Sequence, residues 1–150
     1  MSNVVTENIL LIVPVFFTLM IFTLVANNLA INFNNQERLI IIHNAENELI
    51  GSMNQLYFKL SDQTIQPCVV TKTNPLPSLI DGQPYTITGS MKGEVMTLTV
   101  YLPSINVRDN VTFTLGSEAF WGGGTLNSVS QDSRIIVVKQ SQNSMIFSFG

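Results

Sequence analysis

The hydrophobic rhythm of the chain changes twice. Residues 9–26 are almost entirely apolar, interrupted only by Pro14, Thr18 and Thr23. A helix with no polar face must be buried on every side. About 18 residues at ~1.5 Å rise each is the lower limit for crossing a bilayer. Asn27, Asn28, Asn32, Asn34 and Asn35 mark the exit from this zone. Beyond them Leu39, Ile42, Leu49, Met53, Leu56 and Leu60 recur at helical spacing, with Glu37, Arg38, Asn44, Glu48, Gln55 and Lys59 on the opposite side. The pattern predicts one helix over residues 4–60, capped by Ser2 or Asn3, apolar all round at first and amphipathic later. Pro14 is expected to kink or locally melt it, and Gly51 to cost about 1 kcal/mol relative to Ala.

From Ile65 the period falls to two. Met96, Leu98, Val100 and Leu102 alternate with Thr97, Thr99 and Tyr101; Val111, Phe113 and Leu115 alternate with Thr112 and Thr114; Met145, Phe147 and Phe149 alternate with Ile146 and Ser148. Further strands are expected over residues 65–72, 85–90 and 134–140. Punctuation at Pro75, Pro77, Gly82, Pro84, Gly89, Gly93, Pro103 and Gly116 separates them, and Met91-Lys92-Gly93 suggests a short hairpin turn. Six or seven strands in the second half predict a small β-sandwich with the amphipathic helical stripe packed on one sheet. The fold class is therefore α+β: residues 1–60 form the helix, with 1–34 hydrophobic and 35–60 packing on the rest, and residues 61–150 form the β-domain.

Charge changes this picture in one respect. Charged residues are only 11% of the chain, less than half the usual share. Ser, Thr, Asn and Gln, 49 residues together, must supply the polar surface. The seven Lys and Arg are scattered and form no basic patch, so nucleic acid is not an expected partner. No cation precedes Arg38. A signal anchor is oriented by Lys and Arg beside its span, so a short basic leader removed ahead of Met1 is expected.

Candidate chemistry is sparse. Cys68 is alone, which fits a small core residue. His43 is the single histidine, with Glu46 one turn away, and reads as a surface or interface residue. No nucleophile motif accompanies it, and no Cys/His/Asp cluster has metal-ligand spacing. Glu46 and Glu48 do not face each other on a helix. Gly122-Gly-Gly124 lacks the Lys-Ser/Thr of a phosphate loop and reads as a flexible loop after Phe120-Trp121, with sugar stacking or a subunit contact as the sharper use of those two rings. Asn110-Val-Thr112 is a candidate N-glycosylation sequon. An enzyme is not expected, nor any cofactor or metal.

The run Ser2-Asn-Val-Val-Thr-Glu-Asn-Ile-Leu-Leu-Ile12, continuing apolar to Ala26, followed by an amphipathic half and a β-domain, resembles a type IV pilin. Within that superfamily it looks more like the archaeal pilins and archaellins, mature subunits made from precursors with a class III signal peptide, whose globular part is an immunoglobulin-like antiparallel sandwich. Bacterial type IV pilins commonly begin with Phe, place their Glu slightly closer to the start and close a C-terminal loop with two cysteines. This chain begins with Met, has Glu7 and has one Cys.

The resemblance implies a structural subunit of an extracellular helical filament, held in the membrane before assembly, served by a leader peptidase and pilus assembly machinery, and used for adhesion to surfaces or sugars. It implies a filament core of Glu7, Ile9, Leu10, Leu11, Ile12, Val13, Pro14, Phe16, Phe17, Leu19, Met20, Ile21, Phe22, Leu24 and Val25. Glu7 would need a partner there, which the resemblance implies is the free α-amino group of a neighbouring, processed subunit. The runner-up reading is a single-span membrane protein whose external β-sandwich anchors or assists a surface filament. A virus coat protein with a buried N-terminal helix is a third reading.

Overall fold

The computed structural model describes the backbone of residues 2–150 and the side chains of residues 12–150. One helix, α1 (Ser2–Leu60), precedes eight strands: β1 (Cys68–Thr73), β2 (Thr86–Lys92), β3 (Val95–Leu102), β4 (Val107–Thr114), β5 (Ala119–Gly123), β6 (Thr125–Asn127), β7 (Arg134–Ser141) and β8 (Ser144–Phe149). The chain divides into two compact units, Met1–Leu39 and Ile40–Gly150. The division falls inside α1 rather than at its end, because the amphipathic half of the helix shares a core with the strands.

The helix runs without interruption through Pro14, so the expected local melting does not occur. Proline removes a single hydrogen bond, and the flanking turns keep theirs. Thr18 and Thr23 donate their hydroxyls back to the carbonyls of Pro14 and Leu19 at 2.7 and 2.8 Å, which satisfies two polar groups on an otherwise apolar surface.

In the 40–150 unit the strands form two four-stranded sheets, ordered β1-β7-β8-β5 and β4-β3-β2-β6. Every pairing is antiparallel except β5 with β8, which is parallel. This departs from the wholly antiparallel expectation. β2 and β3 meet at a two-residue loop, with Lys92 paired to Val95 and Gly93 at φ +62°. A glycine with positive φ in the first loop position fits the twist of a hairpin. The alternation of β3 holds in full: Met96, Leu98, Val100 and Leu102 are completely buried.

The core joins both sheets to α1. Ile42, Ala45, Leu49, Met53, Leu56 and Leu60 cluster with Ile87, Leu98, Leu126, Val137 and Phe147. Each large side chain so buried contributes about 1.5–3 kcal/mol. Leu39, placed in the packing stripe from its spacing, is instead 42% exposed; the buried stripe starts one turn later, at Ile42.

The glycine run also differs from expectation. Gly122 and Gly123 belong to β5, and β6 follows at Thr125, so of the three glycines only Gly124 lies between strands. At Gly122 and Gly124 neighbours come close, while Gly123 has open space and φ +95°. A Cβ on Gly122 would lie 2.8 Å from Ile146 Cγ2, and one on Gly124 would collide with the carbonyl of Phe149. Trp121 meets Phe149 edge-to-face at 4.8 Å between ring centroids, while Phe120 points outward and is exposed.

Candidate functional site

Two places in the molecule can carry function. The first is the apolar half of α1. Residues 12–37 are exposed without exception, and among them Phe16, Phe22 and Phe33 keep 66–71% of their surface open. By length and composition the helix is apolar enough to cross a membrane, and its most apolar stretch, at mean hydropathy 2.0, is wholly unburied. All the expected filament-core residues from Ile12 to Val25 lie on this open surface. Glu7, Ile9, Leu10 and Leu11 fall outside the described side chains. An apolar surface of this size cannot face water; it requires lipid or other protein.

The second place joins α1 to β4. Glu46 occupies a buried position of the helical stripe, one turn beyond Ile42, and is 1% exposed. His43 lies on the stripe's flank, three residues earlier, and its Nδ1 is 3.0 Å from Glu46 Oε2. β4 alternates, so Asp109 shares the inward face with Val107, Val111 and Phe113. That brings Asp109 Oδ2 to 3.6 Å from His43 Nδ1. One ligand-type atom from each of the three residues lies within 4.8 Å of the others. Spacing along the sequence gave no sign of this cluster, because Asp109 is 63 residues from Glu46 along the chain.

The electrostatics are those of a crowded acidic site. Burial pushes the Glu46 carboxyl above its ordinary range, the hydrogen bond from His43 pulls it back, and the charge of Asp109 raises it further. The same hydrogen bond to Glu46 raises His43 against the lowering effect of its burial, and the Asp109 charge adds to the rise. Glu46 Oε1 and Asp109 Oδ2 are buried and make no hydrogen bond.

Asn110 is exposed on β4, and its Oδ1 accepts a hydrogen bond from Thr99 Oγ1 at 2.7 Å. Cys68 is half-buried at the start of β1, against the core. An open cleft of about 740 Å³, lined by Thr73, Asn74, Ser128, Gln131 and the exposed Leu79 and Val129, offers hydroxyls and amides beside apolar side chains.

Set against family models, curated proteins and solved structures, the chain matches none.

Proposed function

We propose that this chain is a structural subunit of an extracellular helical filament, of the archaeal type IV pilin and archaellin kind, with no catalytic role. The observation that carries the reading is the open apolar surface of residues 12–33 on a helix whose other half is built into a β-rich domain. The two sheets with the helix packed on their core are what an immunoglobulin-like sandwich would provide as a filament's outer sheath.

The physics of assembly follows. Before assembly the helix lies in lipid. Lipid and a bundle of identical helices are similarly apolar, so the transfer gains little hydrophobic energy, and close packing must favour it. Once the filament is in water, dissociation would expose each large side chain at a cost of about 1.5–3 kcal/mol. Ten or more such residues make the polymer effectively irreversible. Neighbouring subunits are related by an operation that does not close on itself, which produces a fibre. The low charge and the abundance of Ser, Thr, Asn and Gln suit an outer surface that meets solid supports or sugars.

The same helix would serve a single-span protein that anchors or assists such a filament. Electron microscopy of the sheared surface fraction, with intact-mass measurement of the subunit, separates the two. Thin filaments built of this chain support the proposal. A chain found solely in the membrane fraction, with no filaments, sinks it in favour of the anchor.

A further inference from the structure

The geometry points to a divalent-cation site, selective for ions that accept imidazole such as Zn²⁺, formed by His43, Glu46 and Asp109 between α1 and β4. It does not depend on the filament reading.

Three observations converge. Glu46 is 1% exposed, yet its Oε1 has no hydrogen-bond partner. A buried carboxylate oxygen left unsatisfied carries a large desolvation penalty. Asp109 Oδ2, also buried and without a hydrogen bond, belongs to the same cluster. Two carboxylates turned toward one point repel each other unless positive charge lies between them, and one imidazole offers at most a single charge against two. A divalent ion held by one oxygen of each would neutralise the pair.

The donor set and its dimensions fit. Around a tetrahedral Zn²⁺ with bonds of about 2.0–2.2 Å, neighbouring ligand atoms stand about 3.4 Å apart. His43 Nδ1 lies 3.0 Å from Glu46 Oε2 and 3.6 Å from Asp109 Oδ2. The three chosen atoms spread no further than 4.8 Å, so a small side-chain rotation closes the triangle. One nitrogen and two carboxylate oxygens suit zinc or manganese better than calcium, which takes six to eight oxygens. His43 is 57% exposed at the rim, which leaves a route for the ion and a fourth position for water.

Binding there would tie the helix to an edge strand. β4 ends its sheet, with β3 its sole neighbour among the described strands. A metal bridge would link that edge to α1 through two ligands on the helix and one on the strand.

The test uses the full chain in detergent micelles, stripped with chelator and titrated with Zn²⁺, with bound metal counted by mass spectrometry and thermal unfolding followed in parallel. The expected result is one Zn²⁺ per chain and a rise in Tm. Asp109→Asn and His43→Asn should each weaken binding at least about tenfold, since losing groups that merely orient ligands already costs 10–100-fold. Both positions are partly open to solvent, so these variants are expected to fold, and circular dichroism checks that. Cys68→Ser should bind like the parent. No bound Zn²⁺, binding untouched in both folded variants, or binding lost with Cys68→Ser would each overturn the assignment.

Discussion

The ammonium of Lys139 donates a 2.5 Å hydrogen bond to the carbonyl oxygen of Leu60, the last residue of α1. The same nitrogen reaches the carbonyl of Asp62 at 2.9 Å. A helix end leaves four carbonyls without intrahelical partners, and here a lysine from β7, 79 residues away and 2% exposed, satisfies one of them. Positive charge at this end also complements the helix dipole. The contact ties the end of the helix to β7.

Replacing that lysine while keeping its bulk isolates the capping role. Lys139→Met should destabilise the 40–150 unit by about 2–3 kcal/mol, because a charge-assisted hydrogen bond contributes ~1.5–3 kcal/mol and its loss strands a buried carbonyl. Urea unfolding of the full chain in micelles would read this as a lower midpoint with an unchanged slope. A midpoint equal to the parent's would show the capping contact to be dispensable.

Two glycines should respond oppositely to alanine. Gly51 lies within α1, and a Cβ there would meet nothing within 4 Å. Gly51→Ala should stabilise by close to ~1 kcal/mol, the propensity difference alone. Gly124 has φ +104° and faces the backbone of Phe149, which cannot yield as a side chain tip can. Gly124→Ala should cost at least ~2 kcal/mol. Thermal unfolding of the pair, run side by side, checks both signs.

Acid should loosen the turn after the helix only once the Asp62 carboxylate is protonated. Asp62 Oδ1 accepts the Thr64 main-chain N–H at 2.9 Å and the Thr64 hydroxyl at 2.8 Å. These bonds, the main-chain one first, hold the Asp62 carboxyl below its usual value. A lowered folded-state value means the contribution is complete above the unfolded value of about 3.9 and disappears as pH falls through the folded one. A carbon-detected NMR titration should place Asp62 below free aspartate, and Thr64→Ala should move it partway back, since the main-chain bond survives. Identical titrations in parent and variant would contradict the role given to the hydroxyl.

Charge on the open helix should abolish assembly and spare the fold. Leu19 is exposed within the apolar segment. Leu19→Asp adds a cost of about 2.5–3.5 kcal/mol in a bilayer centre and a comparable penalty in a bundle of helices. The expected outcome is loss of filaments by microscopy with unchanged strand signals from the 40–150 unit. Normal filaments would remove this segment from the proposed interface.

Periodicity revealed most of the architecture. The helix, its buried stripe from Ile42 to Leu60, and six of the strands follow from spacings of 3.6 and 2. What it concealed was of two kinds. β5 and β6 contain Gly122 and Gly123 or are only three residues long, so their composition reads as loop; pairing of β5 with β8 and of β6 with β2 overrides local preference. The charged side chains inside were hidden in plain alternation. Lys139 continues the inward series of Ile135 and Val137, and Asp109 that of Val107 and Val111. A charged residue in phase with a buried face signals a specific partner, though not which one. That Asp109 meets His43 and Glu46 required knowing that β4 lies beside the helix.

The placement of β8 sets the order in which this molecule can become itself. β8 sits between β7 and β5, and β5 has no other partner in its sheet. β5 is made more than twenty residues before β8, so a growing chain carries it as an unpaired edge until the later strand arrives. The sheet cannot close piece by piece from the N-terminal side. During that interval the cell would hold a finished greasy helix attached to a half-built domain, and only a membrane or a chaperone can shelter such a species from aggregation.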